Sequence, residues 1–118
     1  MSSNAIFFAW NRSLPGREAL SSGHFDEFVA YMGSLQKAGE IQSFEPVFLN
    51  PHGGDMNGFF LIRGEPGKLD AVMASDEWNR HMTRASLHLD GAGAVRAVAG
   101  EALVKRMEIW RSLVPRAA

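Results

Sequence analysis

The sequence predicts an α+β domain of βαββαβα order, and three observations carry that prediction. Two short aromatic segments, Ala5–Trp10 and Gly58–Arg63, are apolar on both of their alternating faces, the mark of strands covered on both sides. Apolar stripes at helical spacing follow each of them. A third strand-like segment carries Pro46, which places it at a sheet edge because proline cannot donate to a ladder.

Ala5–Trp10 puts Ile6, Phe8 and Trp10 on one face and Ala5, Phe7 and Ala9 on the other. Asn11–Gly23, with Pro15, Gly16 and Gly23, reads mostly as a connection. Phe25, Phe28, Val29, Met32 and Leu35 then form one helical stripe, with Ser22 as its expected N-cap and Gly39 as its stop. Ile41–Asn50 reads as the second strand. Asn50-Pro-His-Gly-Gly-Asp55 is a turn cluster, so the second and third strands form a hairpin. Lys68–Ala74 is a short helix. Ser75 opens a second helical piece, with Asp76 and Glu77 in its first turn and Trp78, Met82 and Ala85 inward. Leu87–Ala99 reads as strand, interrupted at Asp90-Gly-Ala-Gly93, with Val95–Ala99 its core. A final amphipathic helix runs from Glu101, with Leu103, Met107, Trp110 and Val114 on one stripe and Pro115 at its end.

A hairpin flanked by two right-handed crossovers gives a four-stranded antiparallel sheet of order 4-1-3-2. The two strands that are apolar on both faces are then the central ones. Two helices cover one face of such a sheet. The other would expose aromatic side chains, and large apolar patches are rare on a lone soluble protein. The last helix is too narrow to cover that face alone. The expected cover is a second copy of the chain, sheet face to sheet face, since twofold dimers dominate among oligomers.

Residues 1–118 suffice for one domain with its own core. The chain has no cysteine, which excludes thiol redox chemistry and thiolate metal sites. The sequence suggests no secretory leader and no membrane-spanning run, so the expected location is cytoplasmic. With a formal charge of −1, no overall field draws the chain to phosphate.

The βαββαβ order, the aromatic strand Ile6-Phe7-Phe8-Ala9-Trp10 and the stretch Ser75-Asp76-Glu77-Trp78 resemble the dimeric α/β-barrel superfamily, which has a ferredoxin-like fold. That superfamily includes YCII-related proteins, cofactor-independent monooxygenases of the antibiotic-biosynthesis type, haem-handling enzymes and ligand-sensing modules. The resemblance implies dimerisation and a ligand pocket between sheet and helices, without choosing a chemistry. The His–Asp pair and Gly-Pro strand motif of YCII-related proteins have no match here, and none of His24, His52, His81 or His88 sits in a context diagnostic of a haem ligand. No cofactor and no catalytic residue is carried over.

The functional expectation is therefore a protein that binds or acts on a small, partly apolar molecule without a metal. Its pocket candidates are Trp10, Arg63, Trp78 and His81. Arg63 and Arg12 each stand at the end of a central strand, where a guanidinium can meet a bound anion. Trp10, Trp78 and the histidines motivate an alternative, monooxygenase-like reading. His52 and Asp55 share a glycine turn, and His88 and Asp90 stand two apart where a strand would place them on one face. Both pairs lack the further ligands a metal needs. A third reading is an RNA recognition motif, since Asn57-Gly-Phe-Phe-Leu-Ile-Arg-Gly64 partly matches that family's third-strand pattern. The acidic balance and the bulky Phe60 in place of a small residue count against it, and no nucleic-acid partner is expected.

Overall fold

The structure is a computed structural model that describes residues 3–116. Its main sheet is built from β1 (Ala5–Trp10), β3 (Ser43–Phe48), β4 (Gly58–Arg63) and β6 (Gly93–Ala97), all antiparallel, in the order β3-β4-β1-β6. This is the order the crossover rules predict. The strand with Pro46 lies at one edge, and β1 and β4 are central. The sheet of the single chain is open rather than closed into a barrel.

One sheet face carries Ile6, Phe8, Phe60 and Ile62, and the core sits there. α1 (Glu18–Lys37) contributes Phe28, Tyr31 and Met32 to it. α2 (Pro66–Ala74) adds Leu69 and Val72, and α3 (Asp76–Ser86) adds Trp78 and Ala85. The second helical region is two pieces, as its sequence predicts. Ser75 separates them by donating to the Val72 carbonyl and accepting from the Trp78 N–H.

Two features depart from the sequence reading. α1 begins at Glu18 rather than after Ser22, so Gly23 lies inside the helix and Ser22 caps nothing. The added first turn brings Ser21 onto the inward side. A small second sheet also forms, pairing β2 (Arg12–Ser13) with β5 (Leu89–Asp90). The segment expected as one interrupted strand is thus split between β5 in that ribbon and β6 in the main sheet.

The opposite sheet face carries Phe7, Phe59 and Leu61, half-buried, and Val95, 59% exposed. Phe7 and Phe59 meet there at 5.0 Å between ring centres. α4 (Ala102–Leu113) buries none of its residues, and Leu103, Val104, Ile109, Trp110 and Leu113 are all exposed. Among the described residues, no helix is long and apolar enough to cross a membrane.

Candidate functional site

Between the inner sheet face and α1 lies a cavity of about 330 Å³. Its walls are largely aromatic: Phe8 and Trp10 from β1, Phe48 from β3, Phe60 from β4, and Phe25 and Phe28 from α1. Gly58 shapes one wall. A Cβ at that position would stand 2.5 Å from the Trp10 ring, so the missing side chain lets the indole lie across the backbone.

The polar edge of the cavity is formed by Ser13, Ser21, Ser22, His24, Asp26 and His88, of which Ser13, Ser21, His24 and His88 are joined to one another. Three elements bring these residues together. Ser21 and His24 are three apart on α1 and so share a face. Ser13 sits on β2, whose pairing partner Leu89 follows His88 directly. The Leu14 N–H donates to the His88 carbonyl at 2.8 Å, which fixes the histidine beside α1.

The side chains form one continuous hydrogen-bonded row. The Ser13 hydroxyl donates to Ser21 Oγ at 2.6 Å. Ser21 Oγ meets His88 Nδ1 at 2.7 Å. His88 Nε2 meets His24 Nδ1 at 2.8 Å. His24 Nε2 meets His81 Nδ1 at 3.0 Å. The row therefore leads from the cavity through two buried imidazoles to His81, a partly exposed residue on α3 that does not line the cavity. His81 is held in place by stacking on Tyr31 at 4.6 Å.

Burial disfavours the charged form of each histidine. His24 is lowered to about 4, by burial first and then by Arg84 and its two neighbouring histidines. His88 is lowered by burial and by Arg84. His81 is lowered by burial, against the opposing pull of Glu77. Arg84 is tied to Glu27 through a paired guanidinium–carboxylate contact, with Nη1 to Oε1 at 2.9 Å. At neutral pH the row is thus a string of neutral imidazoles, each able to donate at one nitrogen and accept at the other. Both nitrogens of His24 are spent within the row. Among the described residues no group of three or more His, Cys, Asp or Glu is arranged to hold a metal ion.

The residues singled out in the sequence fare unequally. Trp10 lines the cavity. His81 stands outside it, at the far end of the row. Trp78 is buried in the core, 5.9 Å from Phe28, and lines no part of the cavity, so it does not serve the oxygenase reading. Arg63 points to the opposite sheet face and pairs with Glu45 at 3.7 Å, so it and His81 do not meet. Arg12 is occupied by Asp55 at 3.4 Å and Asp90 at 3.2 Å rather than free for an anion. His52 lies in an exposed turn and hydrogen-bonds the Met56 carbonyl. His88 and Asp90 do not act as a pair: the histidine turns inward and the carboxylate outward.

Sequence reasoning missed Ser13, Ser21, His24 and most of the role of His88. One signal was present: His24 stands one turn before Phe28 on the inward stripe, where a polar residue needs a partner. Its partners lie far away in sequence: His88, 64 positions on and placed by the β2–β5 ribbon, and His81, 57 positions on and placed by α3. No protein-family model matches the chain, and neither the curated proteins nor the solved structures contain a match to it.

Proposed function

We propose that the protein binds a small, partly apolar, ring-sized molecule in the cavity beside α1 and presents it to a neutral serine–histidine edge. The observation that carries this reading is the composition of that cavity: six aromatic walls and one polar edge that is already hydrogen-bonded. Ligand sites are typically concave and apolar, with a few convergent polar groups, and volumes of about 300–1,000 Å³ are usual. The acidic side chain on that edge, Asp26, repels anions, which favours a neutral hydroxyl or carbonyl compound over a phosphate or a carboxylate.

The strand order resembles that of the dimeric α/β-barrel superfamily, and this resemblance, with the apolar outer face, supports extending the reading to a homodimer that covers the face of Phe7, Phe59, Leu61 and Val95. A titration of intrinsic fluorescence and of thermal stability with one-ring and two-ring aromatic alcohols tests the cavity. Saturable binding is expected, weakened about tenfold or more by Trp10→Ala, which removes one ring from the wall. A panel that shifts neither signal, or binding indifferent to Trp10→Ala, rejects the cavity as the site.

A further inference from the structure

We propose that the row Ser13–Ser21–His88–His24–His81 is a proton relay that ionises a weakly acidic hydroxyl compound, a phenol or an enol, held in the cavity. The inference rests on the binding reading above and gives it a substrate class. Its basis is geometric. Four consecutive contacts of 2.6 to 3.0 Å join a cavity wall to a partly exposed helix face without a gap.

A neutral imidazole has one N–H and one lone pair, so the three histidines have only two fully satisfied proton orders, and each can continue through the serines to the cavity. In the first, Ser13 donates to Ser21, Ser21 to His88 Nδ1, His88 Nε2–H to His24 Nδ1, and His24 Nε2–H to His81 Nδ1. The cavity then meets the free lone pairs of Ser13 Oγ and accepts a proton. In the second, every bond is reversed, and the cavity meets a donating hydroxyl. Any mixed order among the three imidazoles sets two lone pairs or two N–H groups against each other inside the protein, which is costly where water cannot intervene.

The ligand O–H passes its proton to Ser13 Oγ, and Ser13 passes its own to Ser21. Ser21 protonates His88 Nδ1, His88 Nε2–H protonates His24 Nδ1, and His24 Nε2–H protonates His81 Nδ1. The ligand becomes an anion held by the now-donating Ser13 hydroxyl, against the opposing influence of Asp26 on the same cavity edge. His81 becomes a cation, then releases its Nε2 proton to water. No oxidant, reductant or metal takes part. Around His81, Glu77 from its own helix and Glu27 from α1 favour the transient cation, while Arg84 opposes it and Tyr31 covers one ring face. Burial excludes an acid resting on His24 itself, so the charge resides only at the outer end.

Two matched probes test this: 4-nitrophenol, whose anion absorbs visible light, and 4-nitroanisole, which lacks the O–H. Both are expected to bind, the phenol roughly tenfold more tightly through the added hydrogen bond to an ordered row. Bound 4-nitrophenol should ionise at a lower pH than free 4-nitrophenol. Ser21→Ala and, separately, His81→Phe should abolish that difference, and His81→Phe, which lies outside the cavity, should leave 4-nitroanisole binding intact. Equal binding of the two probes, or an ionisation untouched by Ser21→Ala, overturns the relay and leaves the cavity reading standing. Failure of both probes to bind overturns the two together. A ligand-free readout guards against a misfolded variant: in nitrogen-15 histidine spectra, Ser21→Ala should change the tautomer balance of His88, His24 and His81 alike. A change confined to His88 also overturns the relay.

Discussion

At the scale of single residues, His24 couples the site to stability. Its folded-state value of about 4 lies below the ordinary value of 6.5. Between those two values the unfolded chain binds the proton and the folded one does not, so stability rises with pH there. The contribution is fully present above about pH 6.5 and is lost as pH falls toward about 4, by about 1–3 kcal/mol in total. Urea unfolding at successive pH values should show this slope, and His24→Gln should flatten it. An unchanged slope in the variant would assign the acid sensitivity elsewhere. Gly58 offers a second residue-scale prediction. Gly58→Ala pushes the added methyl into the Trp10 ring, so the indole must tilt. Ligand binding in the cavity should weaken more than overall stability falls, which parallel binding and melting measurements would separate. Such residue-scale facts were mostly hidden in the sequence. Trp10 was recognisable as a wall because it ends an apolar strand, whereas Ser13 and Ser21 look like any loop and helix serines until His88 arrives between β2 and α1.

At the scale of elements, strands and helix boundaries show where local sequence suffices. β1 and β4 begin and end where their apolar runs do. Gly39 stops α1 as expected, at φ +77°, with its N–H on the Gln36 carbonyl and the Glu40 N–H on the Leu35 carbonyl. Ser75 serves two helices at once, closing α2 and capping α3. Ser75→Ala should therefore cost about 1–2 kcal/mol, the upper part of the range for losing an N-cap. Chemical denaturation would measure it, and a loss below a few tenths would show that the junction is held by packing of Trp78 instead. The start of α1 is hidden in the sequence because Ser22 and Gly23 imitate a cap and a break. The inward contacts of Ser21 and His24 make the extra turn worthwhile, and those contacts are not local.

At the scale of the whole molecule, the outer sheet face and α4 remain to be explained. Four strands of this length offer a footprint of roughly 350 Å², well short of the ~800 Å² per partner in a stable complex. A dimer formed through this face must therefore recruit more surface, and α4, which follows the edge strand β6, supplies exposed Leu103, Val104, Ile109 and Trp110. Sedimentation should show a dimer at micromolar concentration for the full chain. Ending the chain at Gly100, or introducing Leu61→Glu on the sheet face, should yield monomers. A full chain that sediments as a monomer would remove the dimer. RNA binding at low salt, abolished by Phe7→Ala and Phe59→Ala, would instead assign the face to stacked bases.

The sequence by itself determined the α+β class, the order of the four main strands and of the helices between them, the central and edge strands, and the presence of an apolar second face. All of these follow from the alternation of side chains along a strand, the 3.6-residue repeat of a helix, and proline's missing N–H, which act over a few residues. Only the tertiary structure decided which polar residues meet. The row from Ser13 to His81 joins four separate segments, and its existence depends on the pairing of two-residue strands too short to announce themselves. Burial then does the rest, because buried imidazoles must satisfy one another, and that requirement arises only once the chain has closed around them.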